Sequence, residues 1–209
     1  MKRFCEAVIC LLLCLALTGC NNRLFSDVPN PIATFTLSDG RSLVYELCLS
    51  DAPNTVANFI ELANAGYYDG LKFFRVVPGV LIQSGCRKND GTGATSYTIQ
   101  GEFSDNGISC NTLSHTFGTL SMARKQAYDS ASTQFFFMLG DYSELYDGKY
   151  AAFGVPADAA TEEILKSLGE IPIDSGYKPM GNAVYIESVR VDTQGYTYSA
   201  SKIKKTTLS

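Results

Sequence analysis

Alternating apolar and polar positions near residue 32 predict a β-hairpin. Ile32 to Leu37 and Ser42 to Leu49 alternate in this way, and Ser38-Asp39-Gly40-Arg41 joins them. An Asp-Gly pair between two alternating runs is a strong hairpin signal, because glycine accepts the positive φ angles of tight turns. The chain therefore opens its folded region with two antiparallel strands.

A helical repeat follows the hairpin. Apolar residues recur at i, i+3, i+4 and i+7 through Val56, Phe59, Ile60 and Ala63. Pro53 suits the first turn of such a helix, and Gly66 is the expected stop. The same spacing predicts a second helix over Ala159 to Leu168.

The remaining apolar runs are short. They predict strands around Lys72–Val77, Leu81–Ser84, Thr119–Ala123, Gln134–Leu139, Ala151–Gly154 and Ala183–Val191. A long stretch rich in Gly, Asn, Ser and Thr separates the second and third of these. Many short strands with two isolated helices predict an all-β barrel or sandwich with helical caps. We find no internal repeat and no second domain.

The first residues have the pattern of a secretory signal. Lys2 and Arg3 form a basic start and precede an apolar run from Ala7 to Leu17. That run is shorter than the ~20 residues of a membrane-spanning helix, and small residues follow it as they do before a cleavage site. The pattern predicts export.

The motif Leu17-Thr18-Gly19-Cys20 resembles the bacterial lipobox, in which the cysteine is lipidated and becomes the mature N-terminus. It predicts a lipoprotein signal peptide over residues 1–19 and a lipidated linker over residues 20–30. Acyl chains on Cys20 would hold the protein on the outer side of a bacterial membrane. An ordinary cleaved signal with a chance cysteine is the alternative. Whether the host has one membrane or two stays open.

Charge and composition limit the partners. The 209 residues include 17 basic and 21 acidic side chains, a net charge of −4, with no basic patch in the body of the chain. This argues against nucleic acid as a partner. The one basic run, Lys202-Ile203-Lys204-Lys205, lies in a C-terminal segment (193–209) that we interpret as a solvated polar extension. Weak contact of that run with anionic lipid is the alternative.

Cysteine and histidine usage disfavours a metal site. Signal removal and lipidation leave Cys48, Cys86 and Cys110, with no CxxC pair, and His115 is the one histidine of the chain. No zinc site is expected. We expect buried thiols that behave as small apolar groups, although one disulfide remains open outside the cytoplasm.

Several reaction types lack their motifs. There is no GxSxG elbow and no GxxxxGK[ST] loop, since Gly91-Thr92-Gly93 has no phosphate-binding lysine. Glu102 and Asp105 are close in sequence, but we interpret them as solvated loop carboxylates rather than a glycosidase pair.

What remains is an arginine and a glutamine in an apolar segment. Arg75 and Gln83 interrupt the run from Phe73 to Gln83. A guanidinium among apolar residues needs a partner, which could be an internal carboxylate or a bound substrate. Nearby, strand alternation puts Phe136 on the opposite face from Phe135 and Phe137, so that one face of that strand could line a groove.

These residues carry a family resemblance. The run Phe73-Phe74-Arg75-Val76-Val77-Pro78-Gly79, followed by Ile82-Gln83 and Gly85, is similar to the signature of cyclophilin-type peptidyl-prolyl isomerases. Four further blocks match the family in the same order along the chain. Two of them resemble its bacterial branch, namely Gly118–Arg124 and Asp129–Phe136. The others are Asn89–Gly93 and Tyr146–Gly154. A block resembling the family's first helix, Ala52–Phe59, precedes the signature.

The resemblance implies both a fold and a reaction. The fold is a closed eight-stranded antiparallel barrel capped by two α-helices, here over residues 31–192, with a groove on its outer surface. The reaction is cis/trans rotation about the peptide bond that precedes proline, which meets a barrier of about 18–20 kcal/mol and requires no cofactor. The partners would be proline-containing polypeptides, and a monomer is expected.

The resemblance also implies site residues. The catalytic pair would be Arg75 and Gln83, and the backbone at Ala123 and Arg124 would hold the residues before proline. The proline pocket would consist of Val80, Leu81, Phe136, Tyr146 and Tyr150.

The chain departs from the family pattern at four positions near this site. They are Val80 for phenylalanine, Leu145 for the tryptophan of many eukaryotic members, Tyr150 for histidine and Cys86 for aspartate. Val80 predicts a wider, shallower pocket, and Leu145 argues against tight cyclosporin binding.

The sequence thus leads to an isomerase that assists the folding of exported proteins. A weakly active or inactive module of the same fold, binding proline-containing segments as a chaperone or scaffold, is the alternative. A ligand-carrying barrel of the lipocalin kind is disfavoured, because the blocks match a groove rather than the mouth of a barrel.

Overall fold

A computed structural model describes residues 28–93 and 95–204 of the chain. The strands are β1 (Ile32–Leu37), β2 (Ser42–Leu47), β3 (Arg75–Val77), β4 (Leu81–Ser84), β5 (Tyr97–Thr98), β6 (Leu120–Met122), β7 (Phe135–Met138), β8 (Ala151–Pro156), β9 (Ile186–Asp192) and β10 (Ile203–Lys204). The helices are α1 (Pro53–Asn64), α2 (Ser143–Tyr146) and α3 (Ala159–Gly169).

The predicted hairpin is confirmed. Strands β1 and β2 pair antiparallel, with Phe35 opposite Leu43, and Gly40 turns the chain at φ +84°. Inward-facing residues alternate with half-buried ones along both strands. The hairpin lies within one eight-stranded antiparallel sheet of order β3-β4-β7-β6-β8-β2-β1-β9.

The barrel is open, so the prediction of a closed barrel is wrong. Within the described residues the end strands β3 and β9 form no ladder with each other, and a single antiparallel bridge joins Lys72 to Tyr185. Strand β3 has only three residues, and its Val76 N–H donates to the carbonyl of Tyr177 at 2.8 Å. Because the loop after α3 takes that donor, β9 cannot pair with β3 there.

Aromatic side chains fill the interior of this half-barrel. The ring of Phe35 lies 5.2 Å from that of Phe137 and 5.8 Å from that of Phe59 in α1. Phe59 also contacts Phe153 at 5.2 Å, and all of these rings are fully buried. Edge and tilted contacts at these distances are the favourable geometries for aromatic pairs, and each ring buries enough area to stabilise the fold by about 1.5–3 kcal/mol.

Both predicted helices are present, and each has a carboxylate at its N-terminus. In α3 the side chain of Asp158 accepts from the Thr161 N–H at 2.7 Å, while Leu165 and Leu168 face the core. The one-turn helix α2 was not predicted, because four residues are too short to show a helical period.

Helix α1 is capped from a distant loop. Glu102 accepts hydrogen bonds from the backbone N–H groups of Asn54 and Thr55, at 3.0 and 2.7 Å, and from the Thr55 hydroxyl at 2.6 Å. Glu102 is 5% exposed, and this burial raises its pKa. The interpretation of Glu102 as a solvated loop carboxylate was therefore wrong, whereas Asp105 is exposed.

The described part of the C-terminal extension lies against the domain. Residues 196–204, which we call the C-terminal strap, run along α1 and end as β10, paired with β5. Tyr198 in this strap is 7% exposed and packs into the core cluster. The segment contains polar residues, but it is not a solvated tail as far as residue 204.

The cysteines of the described residues are buried thiols at Cys48, Cys86 and Cys110. Burial raises the pKa of Cys48 to about 12, which makes it a poor nucleophile.

Cys20 and the predicted signal peptide lie outside the described residues. None of the helices in residues 28–93 and 95–204 has the length and apolar character needed to cross a membrane.

Candidate active site

The β3–β4 pair places Arg75 and Gln83 directly opposite each other. The guanidinium Nη1 of Arg75 donates to Gln83 Oε1 at 3.3 Å. Arg75 is exposed, and none of the ion pairs formed among the described residues includes it. Of the two partners considered for Arg75, an internal carboxylate is excluded within this part of the chain. The arginine instead keeps its charge at the surface and takes its direction from a neutral amide.

A second glutamine holds Gln83 in place. The amide nitrogen of Gln83 donates to Gln134 Oε1 at 3.1 Å. Gln134 in turn donates to the carbonyls of Gly91 and Gly93 at 2.9 and 3.1 Å. A chain of hydrogen bonds thus runs from the glycine-rich loop to Arg75. Gln134 was not predicted from the sequence, although its position two residues before Phe136 was an available signal.

An apolar patch lies beside this pair on the outer face of the sheet. Its buried members are Leu81, Phe136 and Met138, and its half-buried margin includes Val77, Val80, Ala123, Tyr142, Tyr146 and Tyr150. Phe136 sits opposite Gln83 in the β4–β7 pair. Its neighbours Phe135 and Phe137 point into the barrel core, as strand alternation predicted. The patch is therefore separate from the core although both use strand β7.

Three tyrosines form one wall of the apolar patch. Tyr146 lies 5.9 Å from Phe136, 5.0 Å from Tyr150 and 6.3 Å from Tyr142, measured between ring centres. Helix α2 positions Tyr146, because its single turn ends there. Burial raises the pKa of Tyr146, so its hydroxyl stays protonated at neutral pH. Leu145 beside it is 61% exposed.

His115 supports the patch from behind. It is 1% exposed, and its ring stacks on Phe136 with 6.3 Å between ring centres. Nδ1 lies 2.7 Å from Asp147 Oδ1, and Nε2 lies 2.9 Å from the hydroxyl oxygen of Ser121. The backbone N–H of His115 also donates to Asp147 at 2.8 Å. The histidine thus joins the loop that carries Tyr146 to strand β6.

The electrostatics of this pair favour a neutral imidazole. Burial lowers the pKa of His115, and the hydrogen bond and charge of Asp147 only partly oppose it. Burial acts to raise the pKa of Asp147, but hydrogen bonds from His115 and Ser114 outweigh it and the net shift is downward. The carboxylate therefore accepts from a neutral ring. From the sequence, His115 served only as an argument against a metal site, because its contacts with Asp147 and Ser121 depend on the fold.

A cavity of about 520 Å³, lined mostly by polar residues and called the polar cavity below, lies beside Gln83. Gln83 and Ala123 border it, and the same Ala123 borders the apolar patch. Its wall includes Thr98, Arg124, Ser132 and Gln134. The Arg124 guanidinium lies 4.6 Å from the centre of the Tyr150 ring, and its Nε donates to the Lys149 carbonyl at 2.8 Å.

Eight of the nine residues predicted for the site lie on these two adjoining surfaces, and the ninth, Arg75, is hydrogen-bonded to Gln83 at the edge of the cavity. The eight are Val80, Leu81, Gln83, Ala123, Arg124, Phe136, Tyr146 and Tyr150. The arrangement offers a cationic donor between an apolar patch and a polar cavity. A peptide with an apolar ring next to a polarisable amide matches both.

The fold is an open half-barrel with an apolar patch and a polar cavity on its outer face, and comparison with known proteins gives its family. The family described as cyclophilin type peptidyl-prolyl cis-trans isomerase/CLD matches residues 32–191. The chain therefore belongs to the cyclophilin family, and it is a peptidyl-prolyl cis-trans isomerase.

Individual relatives agree with this assignment. Peptidyl-prolyl cis-trans isomerase B of Bacillus subtilis is 42% identical over 120 residues, which cover 57% of this chain and 79% of the relative. An isomerase of Schizosaccharomyces pombe is 38% identical over 148 residues, which cover 70% of this chain and 91% of the relative. A crystal structure of a Cryptosporidium parvum cyclophilin in the presence of the dipeptide Ala-Pro is 26% identical, with a TM-score of 0.66. It covers 77% of this chain and 98% of that one.

Proposed function

We propose that this isomerase assists the folding of exported proteins from a lipid anchor outside the cytoplasmic membrane of a bacterium. The lipobox-like Leu17-Thr18-Gly19-Cys20 supports the anchor, and the apolar run before it supports export. In the proposal, acyl chains on Cys20 sit in the membrane and the linker to residue 30 carries the domain. Clients would be unfolded polypeptides whose X-Pro bonds exchange in tens to hundreds of seconds without a catalyst.

In this proposal Arg75 is the catalytic donor. Rotation about the X-Pro bond makes the prolyl nitrogen pyramidal and localises its lone pair, so the nitrogen accepts a hydrogen bond better than in the planar amide. A guanidinium aimed at that nitrogen binds the transition state more tightly than the ground state, which is the condition for catalysis. The observation that carries this role is the exposed guanidinium, held by Gln83 between the patch and the cavity.

Gln83 has two roles in the proposed mechanism. Its amide oxygen accepts from Arg75 and so sets the direction of the guanidinium. Its amide nitrogen carries two N–H groups, of which one donates to Gln134. The other is assigned to the carbonyl oxygen of the substrate residue before proline. The relay to Gln134 keeps both groups in place between turnovers.

The apolar patch receives the proline ring. Val80, Leu81, Phe136, Tyr146 and Tyr150 supply its contacts. Such a surface suits a ring without an N–H group, because no donor is then left unpaired. The residues before proline extend over the polar cavity, along the backbone of Ala123 and Arg124.

A module that binds proline-containing segments without useful turnover is the second candidate, and Val80 favours it. Valine is only half-buried at the edge of the patch, where the family usually has phenylalanine. A shallower pocket would hold the proline ring less firmly during rotation. Refolding of a proline-limited protein separates the candidates: the isomerase accelerates the slow phase catalytically, whereas a binding module changes it only at stoichiometric amounts.

The anchor has its own test in the full-length chain. Cys20→Ala should move the protein from the membrane to the soluble fraction of an expressing bacterium. Cys14→Ala is the matched control, because it alters a cysteine inside the apolar run and leaves the predicted lipidation position intact. If Cys20→Ala stays on the membrane, the lipid anchor is contradicted.

A further inference from the structure

The C-terminal strap lies outside the region that matches the family. That region ends at residue 191, whereas the strap covers residues 196–204. A turn precedes it, in which the Tyr196 N–H donates to the Thr193 carbonyl at 3.0 Å. Tyr198 then inserts into the core cluster and fixes the start of the strap.

Helix α1 holds the strap through its backbone. Asn54 is 4% exposed, and its side-chain amide pairs with Ser201 in both directions. Its Oδ1 accepts from the Ser201 N–H at 2.7 Å, and its Nδ2 donates to the Ser201 carbonyl at 3.1 Å. Glu61, seven residues later on the same helix face, accepts from the Ala200 N–H at 2.8 Å and forms an ion pair with Lys202. The helix thus sets the position of the strap at two points.

The far end of the strap supports strand β5. Ile203 pairs with Thr98, and Lys204 pairs with Tyr97. The Lys202 ammonium lies 4.8 Å from the centre of the Tyr97 ring. A two-residue pair has little stability of its own, so β5 depends on whatever holds its partner strand.

Strand β5 connects directly to the wall of the polar cavity. Thr98 is part of that wall. The Tyr97 hydroxyl donates to Asn58 Oδ1 at 2.9 Å, and Asn58 Nδ2 donates to the carbonyl of Ser132 at 2.7 Å. Ser132 is also part of the wall. The strap therefore reaches two wall residues, Thr98 through strand pairing and Ser132 through two successive hydrogen bonds.

We propose that the C-terminal strap is a positioning element that sets substrate specificity, because it fixes the cavity wall that receives the residues before proline. This rests on the proposed binding of those residues over the polar cavity. Thr98 and Ser132 line the polar cavity and are not members of the apolar patch. In the proposal the strap therefore acts on the binding of the residues before proline, and not on the proline ring or on Arg75. A loosened strap should raise KM for peptides that use the cavity and leave kcat unchanged.

Ser201 offers a matched pair of variants in the full-length chain. Ser201→Pro removes the N–H that donates to Asn54, while Ser201→Ala keeps that N–H and changes only an exposed side chain. Each is assayed with two proline peptides. One has bulky residues two and three positions before proline, and the other has glycine there. Thermal unfolding of each variant shows whether the domain stays folded.

For Ser201→Pro we expect KM for the bulky peptide to rise about fivefold, the change that roughly 1 kcal/mol of lost binding produces. Its kcat should stay unchanged, and so should both constants for the glycine peptide. Ser201→Ala should match the wild type. Tyr97→Phe, which loses the hydroxyl bonded to Asn58 and keeps the ring, should show a smaller rise for the same peptide.

Two outcomes would overturn the proposal while leaving the isomerase function intact. In one, Ser201→Pro equals the wild type on both peptides. In the other, both peptides lose activity alike, which means that the strap only stabilises the domain. A wild-type protein without turnover on either peptide would overturn the isomerase function and this proposal together.

Discussion

Arg75 and Gln83 face each other across the β3–β4 pair, and the guanidinium donates to the amide oxygen at 3.3 Å. Gln83 therefore fixes the direction of the exposed Arg75 guanidinium, which would otherwise move freely in water. Because Gln134 holds Gln83 from the other side, that direction depends on a half-buried relay and not on the arginine alone.

Gln83→Ala should lower kcat/KM about tenfold. A hydrogen bond to a charged group contributes about 1.5–3 kcal/mol, and about 1.4 kcal/mol corresponds to tenfold. The variant leaves Arg75 in place but undirected, so the fall should appear mainly in kcat. A peptide assay measures it, with circular dichroism to confirm the fold. An unchanged kcat would contradict the orienting role.

Val80→Phe should deepen the proline pocket and lower KM about fivefold. An added contact of roughly 40 Å² at about 25 cal/mol per Å² gives ~1 kcal/mol of binding. Val80→Leu is the matched smaller step and should lie between the wild type and the phenylalanine variant. If KM stays the same or rises along this series while the fold is retained, Val80 does not line the proline pocket.

The free energy of unfolding should fall as the pH drops from about 7 to about 5, the range in which histidine ordinarily titrates. The pKa of His115 is lowered by burial from its usual 6.5, so the folded protein keeps the ring neutral while the unfolded chain takes up a proton. The contribution of His115 to the free energy of unfolding is complete above about pH 6.5. It is lost as the pH falls toward the lower pKa of the folded state. Urea unfolding across this range measures the loss.

His115→Asn is the control for that pH dependence. It should be less stable than the wild type near pH 7, and its stability should change less on acidification. The pH dependence of stability that Glu102 contributes has the opposite sign. Burial raises the pKa of Glu102, so the folded state gains stability as this carboxylate is protonated on acidification. Asp147, whose pKa is held below 3.8, titrates beneath this range. Parallel profiles for the two proteins would refute the assignment to His115.

Glu102→Ala should destabilise the protein by about 3 kcal/mol, because it leaves two N–H groups of helix α1 and a hydroxyl without their acceptor. Glu102→Gln keeps one acceptor oxygen and should lose less. Asp105→Ala, an exposed carboxylate of the same loop, should stay within about 0.5 kcal/mol of the wild type. Denaturant titration measures all three, and equal stability of the alanine variant and the wild type would contradict the capping role.

The local sequence pattern was enough to predict those parts of the fold that depend on residues close together in the chain. The Asp-Gly turn, the spacing of Val56 and Phe59 in α1, and the outward face of Phe136 all followed from period and turn chemistry. The motif around Arg75 and Gln83 was enough to predict that these two residues lie together, because they are only eight positions apart and a tight hairpin joins them.

Long-range contacts decided the rest. The open barrel depends on a Tyr177 carbonyl that takes the Val76 donor, and the cap of α1 depends on Glu102, which lies about fifty residues from Asn54. The docking of Ser201 on Asn54 spans most of the domain. Nothing in a local window signals such pairs, since each partner by itself has the composition of a loop.

The measurement closest to the central claim is the rate of X-Pro isomerisation by Arg75→Ala. Loss of a donor that acts in the transition state should lower kcat/KM by about 10²- to 10³-fold while binding of a proline peptide is retained. Arg75→Lys keeps the charge but loses the fixed fork of donors, so it should recover only part of the rate. An Arg75→Ala variant with the wild-type rate would contradict the mechanism.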